Sequence, residues 1–179
     1  GAVTVNTSVS VSATITDSTM VSCNGGTDGT ATVSAAGGSS PYTYTWNTIP
    51  SQTNTLATGM SAGTWTASVL DAVGCADAIT VVITEPALLS AAILTFNDPN
   101  CFGGADGDAT VTSSGGTGSY TYSWSPLGGT GATGTGLAAG VLYTVTVSDS
   151  LSCNTTATIT LGEPTVLNLS ITGTDPLCN

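Results

Sequence analysis

The chain has 179 residues, 11 of them Asp or Glu, and no Lys, Arg or His, which gives a formal net charge of -11. Average usage would place roughly 20 basic residues in such a length. Their absence excludes counterion displacement from nucleic-acid phosphates, Lys-based phosphate cradles and Schiff bases, and the imidazole proton shuttle or metal ligand.

An anionic membrane surface would repel the chain, and no apolar run reaches the roughly 20 residues needed to span a bilayer. The mean hydropathy of +0.32 reflects Ala, Val and few charges. Carboxylates, hydroxyls, phenols and thiols remain for chemistry. A two-carboxylate glycosidase is formally open, but the acids are scattered in turn-like contexts, so no catalytic residue and no enzyme is predicted.

In chain order, residues 9–16 alternate apolar and hydroxyl side chains, as a half-buried strand does. Asp28-Gly29 reads as a turn in which Gly takes positive φ and Asp bonds the local backbone. Strands are then predicted at residues 30–35, 42–46, 64–70 and 78–84, with a weaker stretch at 53–56 and another at 88–95. Period-2 alternation, β-branched and aromatic enrichment, and Gly/Ser/Asn/Pro punctuation mark an antiparallel sandwich. The inward face is predicted as Ala31, Val33, Tyr42, Tyr44, Trp46, Trp65, Ala67, Val69, Ile79, Val81 and Ile83.

The pattern then repeats. The same 78-residue interval separates Cys23 from Cys101 and Cys75 from Cys153. In the same register Asp28-Gly29 matches Asp106-Gly107, Tyr42 to Trp46 matches Tyr120 to Trp124, and Glu85-Pro86 matches Glu163-Pro164. The second inward face is therefore Ala109, Val111, Tyr120, Tyr122, Trp124, Tyr143, Val145, Val147, Ala157, Ile159 and Leu161. Asp175 to Cys178 echoes Asp98 to Cys101, so a third unit begins. The predicted organisation is the end of a preceding repeat at 1–8, repeat 1 at 9–86, repeat 2 at 87–164 and the start of a third at 165–179. Both ends are expected to be cuts in a longer polypeptide.

About 78 residues enclose one modest core, and each unit carries two cysteines to supplement it. The expected bridges are Cys23–Cys75 and Cys101–Cys153, each closing a loop whose cross-link is worth about 4 kcal/mol in the chain-entropy model. Cys178 would pair beyond the segment. The alternatives are buried free thiols or a Cys metal site, the latter poorly served by two thiols without His. Disulfides fit an oxidising exterior.

These residues taken together resemble the SprB repeat. The resemblance rests on Cys23, Gly25 to Val33, Gly37-Gly38, Tyr42 to Trp46, Ala62 to Leu70, Asp71 to Cys75 and Thr84-Glu85-Pro86. It rests equally on Cys101, Gly103 to Val111, Tyr120 to Trp124, Ala139 to Val147, Asp149 to Cys153 and Glu163-Pro164. It covers nearly all of both units, with one departure, Ser152 in place of Gly74. The resemblance implies tandem Ig-like β-sandwiches in a very large surface protein of Bacteroidetes-type bacteria, exported by the type IX route and related to a gliding-motility adhesin. It implies no catalytic residue.

Candidate sites stand beside plainer readings. Asp28, Asp106 and Asp108 are candidate calcium ligands, against a tight turn. Asp17, Asp98 and Asp175, near Glu85 or Glu163, are a second calcium candidate at the junction, against a solvated acidic edge. The alternating aromatics of Tyr42 to Trp46 suit a core, against a sugar-stacking face. Asp149-Ser150-Leu151 resembles the O-glycosylation signal of these bacteria, making Ser150 a candidate site against a turn serine. Asn6, Asn154 and Asn168 open Asn-x-Ser/Thr triplets.

The expected function is a non-catalytic extracellular stalk or adhesin module. The lack of a Gly/Ser spacer after Glu85-Pro86 favours a semi-rigid array. A filament assembled head to tail is the alternative, with residues 3–6 as a donated strand; a carbohydrate-binding accessory module is a third. Expected partners are neighbouring repeats, other copies in a filament or surface glycans.

Overall fold

The computed structural model describes residues 10–173. The predicted preceding-repeat end at 1–8, with Asn6, and the residues Asp175 and Cys178 lie outside the described residues. The predicted third-repeat start is described only to Gly173, and residues 165–173 form no strand.

Twelve strands form among the described residues, and they are all-β without a helix. They divide into two compact units, the first running to Leu88 and including Gly115–Thr117, the second comprising Leu89–Ser114 and the chain from Gly118 onward. The first unit holds β1 (Ser12–Thr19), β2 (Gly29–Ala36), β3 (Thr43–Trp46), β4 (Leu56–Met60), β5 (Gly63–Leu70) and β6 (Ala76–Ile83). The second holds β7 (Ser90–Asn97), β8 (Gly107–Ser114), β9 (Thr121–Ser125), β10 (Thr133–Leu137), β11 (Leu142–Ser148) and β12 (Asn154–Thr160).

In the first unit one sheet runs β1-β2-β4 and the other β3-β5-β6; the second unit repeats this as β7-β8-β10 and β9-β11-β12. Every strand pair is antiparallel. The chain changes sheet between β2 and β3, β3 and β4, and β4 and β5. That crossing makes each unit an Ig-like sandwich rather than a row of hairpins.

Alternation fixes which face is buried. In β2, Ala31 and Val33 are buried while Ser34 is exposed, and β8 repeats this with Ala109 and Val111. Trp46 and Trp124, from β3 and β9, are buried at the centre of each unit. Their indole N–H groups donate to the carbonyls of Asn54 and Gly131, each at 3.0 Å, so burial leaves no donor unpaired. Ala67, Val69 and Ile83 complete the first predicted face, and Tyr143, Val145, Val147 and Leu161 the second. Tyr42, Tyr44, Trp65, Ile79 and Val81 pack at the margin of the first core, as Tyr120, Tyr122, Ala157 and Ile159 do in the second.

Two elements differ from expectation. The weak strand expected at 53–56 lies at Leu56–Met60, and Thr58-Gly59 within it forms a β-bulge. Gly59 has φ +70°, and the register slips between Gly29↔Met60 and Ala31↔Ala57. The bulge carries Met60 into the core, fully buried, and Gly136 does the same for Leu137. Gly29 also differs: it opens β2 in ordinary extended backbone rather than a positive-φ turn. What requires glycine there is space, since a Cβ would sit 2.7 Å from both Ile83 Cγ2 and the Met60 carbonyl oxygen.

Met60→Ala should therefore cost about 2–5 kcal/mol of unfolding free energy. Met20→Ala, at a side chain 48% exposed, should stay within about 0.5 kcal/mol. Equal shifts in the urea midpoint of the two variants would contradict this assignment of the core.

Candidate functional site: the cysteine loops of each unit

The cysteines of one unit occupy opposite ends of the sandwich. Cys23 lies in the loop from β1 to β2, whose Val21 N–H donates to Thr84 O at 2.9 Å just beyond the end of β6. Cys75 closes the turn from β5 to β6, next to the Gly37-Gly38 end of β2. An eight-residue strand such as β5 separates the two ends, a distance of about 25 Å at the usual rise per residue.

That span decides the sulfur chemistry. A disulfide needs Cα atoms within about 7 Å, so Cys23 cannot reach Cys75, and Cys101 cannot reach Cys153 for the same reason. Accordingly Cys75 and Cys101 are free thiols, while Cys23 and Cys153 are each disulfide-bonded. The expected bridges Cys23–Cys75 and Cys101–Cys153 are therefore corrected. The 52-residue spacing matched between repeats because the fold repeats, not because the ends meet. Cys178, expected to pair beyond the segment, lies outside the described residues.

Both loops are organised by carboxylates. In the β1–β2 loop, Asp28 Oδ1 accepts from Ser22 N–H at 2.9 Å, Glu85 Oε2 accepts from Gly25 N–H at 2.6 Å, and Cys23 O accepts from Gly26 N–H at 2.9 Å. The second unit rebuilds this around Cys101. Asp106 accepts from Asn100 N–H at 3.1 Å, Glu163 from Gly103 N–H at 2.9 Å, and Cys101 O from Gly104 N–H at 2.9 Å. The Ser22 side chain and then its N–H hold the Asp28 carboxyl below its ordinary pKa; the Asn100 side chain and then its N–H do so for Asp106. Asp108 accepts from Asn97 Nδ2 at 3.0 Å.

These are the residues named as calcium candidates, and each already spends an oxygen on a donor of its own unit. Among the described residues no three His, Cys, Asp or Glu side chains gather as a metal ligand set. The junction candidates do not share a place either. Asp17 sits in β1 opposite Thr32, whereas Asp98 follows β7 and accepts from Gly162 N–H at 2.7 Å.

At the other end, the buried Asp71 carboxylate ties two loops together. Its Oδ2 accepts from Ser39 N–H at 2.9 Å, and its Oδ1 from Val73 N–H at 3.0 Å and Cys75 N–H at 2.8 Å. The Ser39 N–H is the main cause holding this carboxyl below its ordinary pKa, against the opposing effect of burial. Gly38 must be glycine here: its φ is +59°, and a Cβ would lie 2.6 Å from Asp71 Oδ2. Asp149 repeats the turn part of this arrangement, its Oδ1 accepting from Leu151 N–H and Cys153 N–H, each at 2.9 Å. Ser152 adopts φ 66° where Gly74 has φ 91°, so the turn keeps its shape despite the substitution. Ser150, the glycosylation candidate, is exposed in this turn.

The role of Asp71 and Asp149 went unrecognised in sequence, although Asp-x-x-x-Cys stands twice in register. The aromatic sugar-stacking alternative fails for the two tryptophans, because Trp46 and Trp124 are buried.

The sequence model of the SprB repeat matches residues 12–50 and 93–129. Each unit carries a SprB repeat. No curated protein matches the chain. Among solved structures, the three N-terminal domains of the bacteriophage RB49 highly immunogenic outer capsid protein (Hoc) align at 18% identity and TM-score 0.42, over 86% of this chain and 58% of that one. The C-terminal 282-residue fragment of intimin, in complex with the translocated intimin receptor's intimin-binding domain, aligns at 19% identity and TM-score 0.39, over 87% and 64%. The Dscam structure on isoform specificity aligns at 16% identity and TM-score 0.34, over 84% and 46%. The chain thus spans less than two thirds of the length of each of these structures. SprB repeats belong to cell-surface adhesins, which agrees with the presence of disulfide-bonded cysteines.

Two outcomes follow for the loops. Alkylation of the native monomer should label Cys101 quickly and Cys75 more slowly, leaving Cys23 and Cys153 unlabelled until reduction; protection of all four in a chain that runs as a monomer on a non-reducing gel would restore the within-unit pairs. Because the folded pKa of Asp71 lies below that of the unfolded carboxyl, near 3.9, its stabilising effect is present above about pH 4 and is lost as the pH falls further. Urea midpoints of Asp71→Asn should then fall less steeply than wild type between about pH 4 and pH 2. Parallel profiles would remove Asp71 from that role.

Proposed function

We propose that this segment is a non-catalytic stretch of stalk in a large extracellular adhesin of the type IX-exported, gliding-associated kind. The observation that carries the reading is the direct succession of two SprB-bearing units with the same strand order and the same loop hydrogen bonds. Residues 84–89, six in number, connect the last strand of one unit to the first of the next, and they include Pro86. A spacer so short, with proline and without glycine, suits a stalk better than a free tether.

The chemistry of the side chains supports a structural role. The chain has no Lys, Arg or His to act on a substrate. Two of its three tryptophans, Trp46 and Trp124, are buried in the cores, and the third, Trp65, packs partly buried against the first. Repetition of a module whose conspicuous residues all serve packing and turn formation builds length, while recognition falls to other parts of the protein.

Electron microscopy of the purified native protein separates this reading from self-assembly. Single elongated particles, each ending in a distinct terminal region, are the expected result. Long helical polymers containing many chains would replace the stalk by a filament.

A further inference from the structure

The two free thiols are not leftovers. The turn cysteine that is free in the first unit, Cys75, has its counterpart Cys153 disulfide-bonded in the second; the loop cysteine that is free in the second unit, Cys101, has its counterpart Cys23 bonded in the first. Free and bonded members share one local construction. Cys75 and Cys153 both donate their N–H to the aspartate four residues earlier, at 2.8 and 2.9 Å. Cys23 and Cys101 both accept at their carbonyl from the glycine three residues on, at 2.9 Å. Within one unit the two kinds stand a strand length apart and cannot meet.

We propose that Cys75 and Cys101 are covalent docking points for further copies of the same unit. Cys75 takes the β1–β2-loop cysteine of another copy, and Cys101 takes the β5–β6-turn cysteine of another. Cys23 and Cys153, one cysteine of each kind, are both disulfide-bonded, so each local construction accommodates a disulfide. Access agrees, since Cys101 is exposed and Cys75 is partly so. Because the two kinds lie at opposite ends of a unit, loop-to-turn bonding is heterologous and leaves an unused thiol at each end of any array, so it propagates. Like-to-like bonding at both thiols would instead reverse the direction of successive copies.

The oxidant is a disulfide, either of an oxidoreductase or of a small thiol. The thiolate of Cys101 attacks one of its sulfurs and expels the other as a thiolate. The turn cysteine of the second copy then attacks Cys101 Sγ, releasing the first sulfur. Two protein thiols lose two electrons and two protons in total, and the donor disulfide becomes two thiols. The inference does not depend on stalk or filament; it needs only further units, and it fails or survives separately from either.

The test uses the full chain carrying Cys178→Ser, with and without Cys75→Ser or Cys101→Ser, in a glutathione redox buffer. Tryptophan fluorescence first confirms that each variant is folded, since the Asp71–Cys75 hydrogen bond is made by backbone N–H and survives the serine. The Cys178→Ser chain should form a ladder on non-reducing denaturing gels. An isotopically distinguished mixture of the two double variants should give only dimers, joined Cys101 to Cys75, in several-fold excess over the statistical half. Peptic mapping at acid pH reads the bonds and suppresses exchange; trypsin is useless on a chain without Lys or Arg. Statistical or like-to-like dimers, monomers capped by glutathione, or thiols closed within one chain would each overturn the proposal.

Discussion

A chain with carboxylates and no cationic side chain can offer its anions only neutral donors, and here backbone N–H groups fill most of that role. Of the ten acidic residues among the described residues, eight accept from backbone N–H: Asp28, Asp71, Asp77, Glu85, Asp98, Asp106, Asp149 and Glu163. A charge-assisted bond of this kind is stronger than a neutral one and fixes the direction of a loop. The constraint places the acids at strand ends and turns, where N–H groups are unused by the sheets. Asp77 shows the principle at a sheet edge: it accepts from Ala13 N–H at 2.8 Å, linking β6 of one sheet to β1 of the other. That N–H and then its neighbour at Ala78 hold the Asp77 carboxyl below its ordinary pKa.

From this follows the stiffness of the cysteine-bearing loops. Asp71 and Asp149 set the turns that present Cys75 and Cys153; Asp28 with Glu85, and Asp106 with Glu163, set the loops that present Cys23 and Cys101. The sandwich between them acts as a spacer of fixed length, because its strands are paired over seven or eight residues and its core is filled by one buried tryptophan per unit. A disulfide inside the unit is thereby ruled out by the same strands that make the unit stable.

Much of this was legible before any coordinates. Strict alternation in residues 30–35 and 64–70 exposes its inward face to reading, and every residue assigned to that face lies in or against the cores. Met60 and Leu137 were not legible, because Thr58-Gly59 and Thr135-Gly136 carry the signature of a turn while the bulge that uses them depends on pairing with β2 and β8. The cysteine pairing failed for a related reason. Repeat spacing records that two residues hold equivalent places in successive units; it carries no information on the distance between two places within a unit. Asp71 and Asp149 stood in the repeat without a role, since the hydrogen bonds that define it are set by the fold; one donor to Asp71, the Ser39 N–H, comes from a loop more than thirty positions away.

The absence of cations also shapes what copies of this unit can do to one another. A net charge of -11 over the chain opposes close approach of a second copy. At physiological ionic strength that repulsion is screened beyond about 8 Å, so it acts where surfaces meet, and no Lys or Arg exists to offset it with an ion pair. Noncovalent adhesion between like-charged copies therefore starts from a deficit that only apolar contact could overcome. A disulfide is indifferent to that deficit once formed, because its strength does not depend on salt or on net charge. Carboxylates that order the loops and thiols that those loops present are thus two consequences of one composition: acids fold the ends, and sulfur supplies the cross-link that charge cannot.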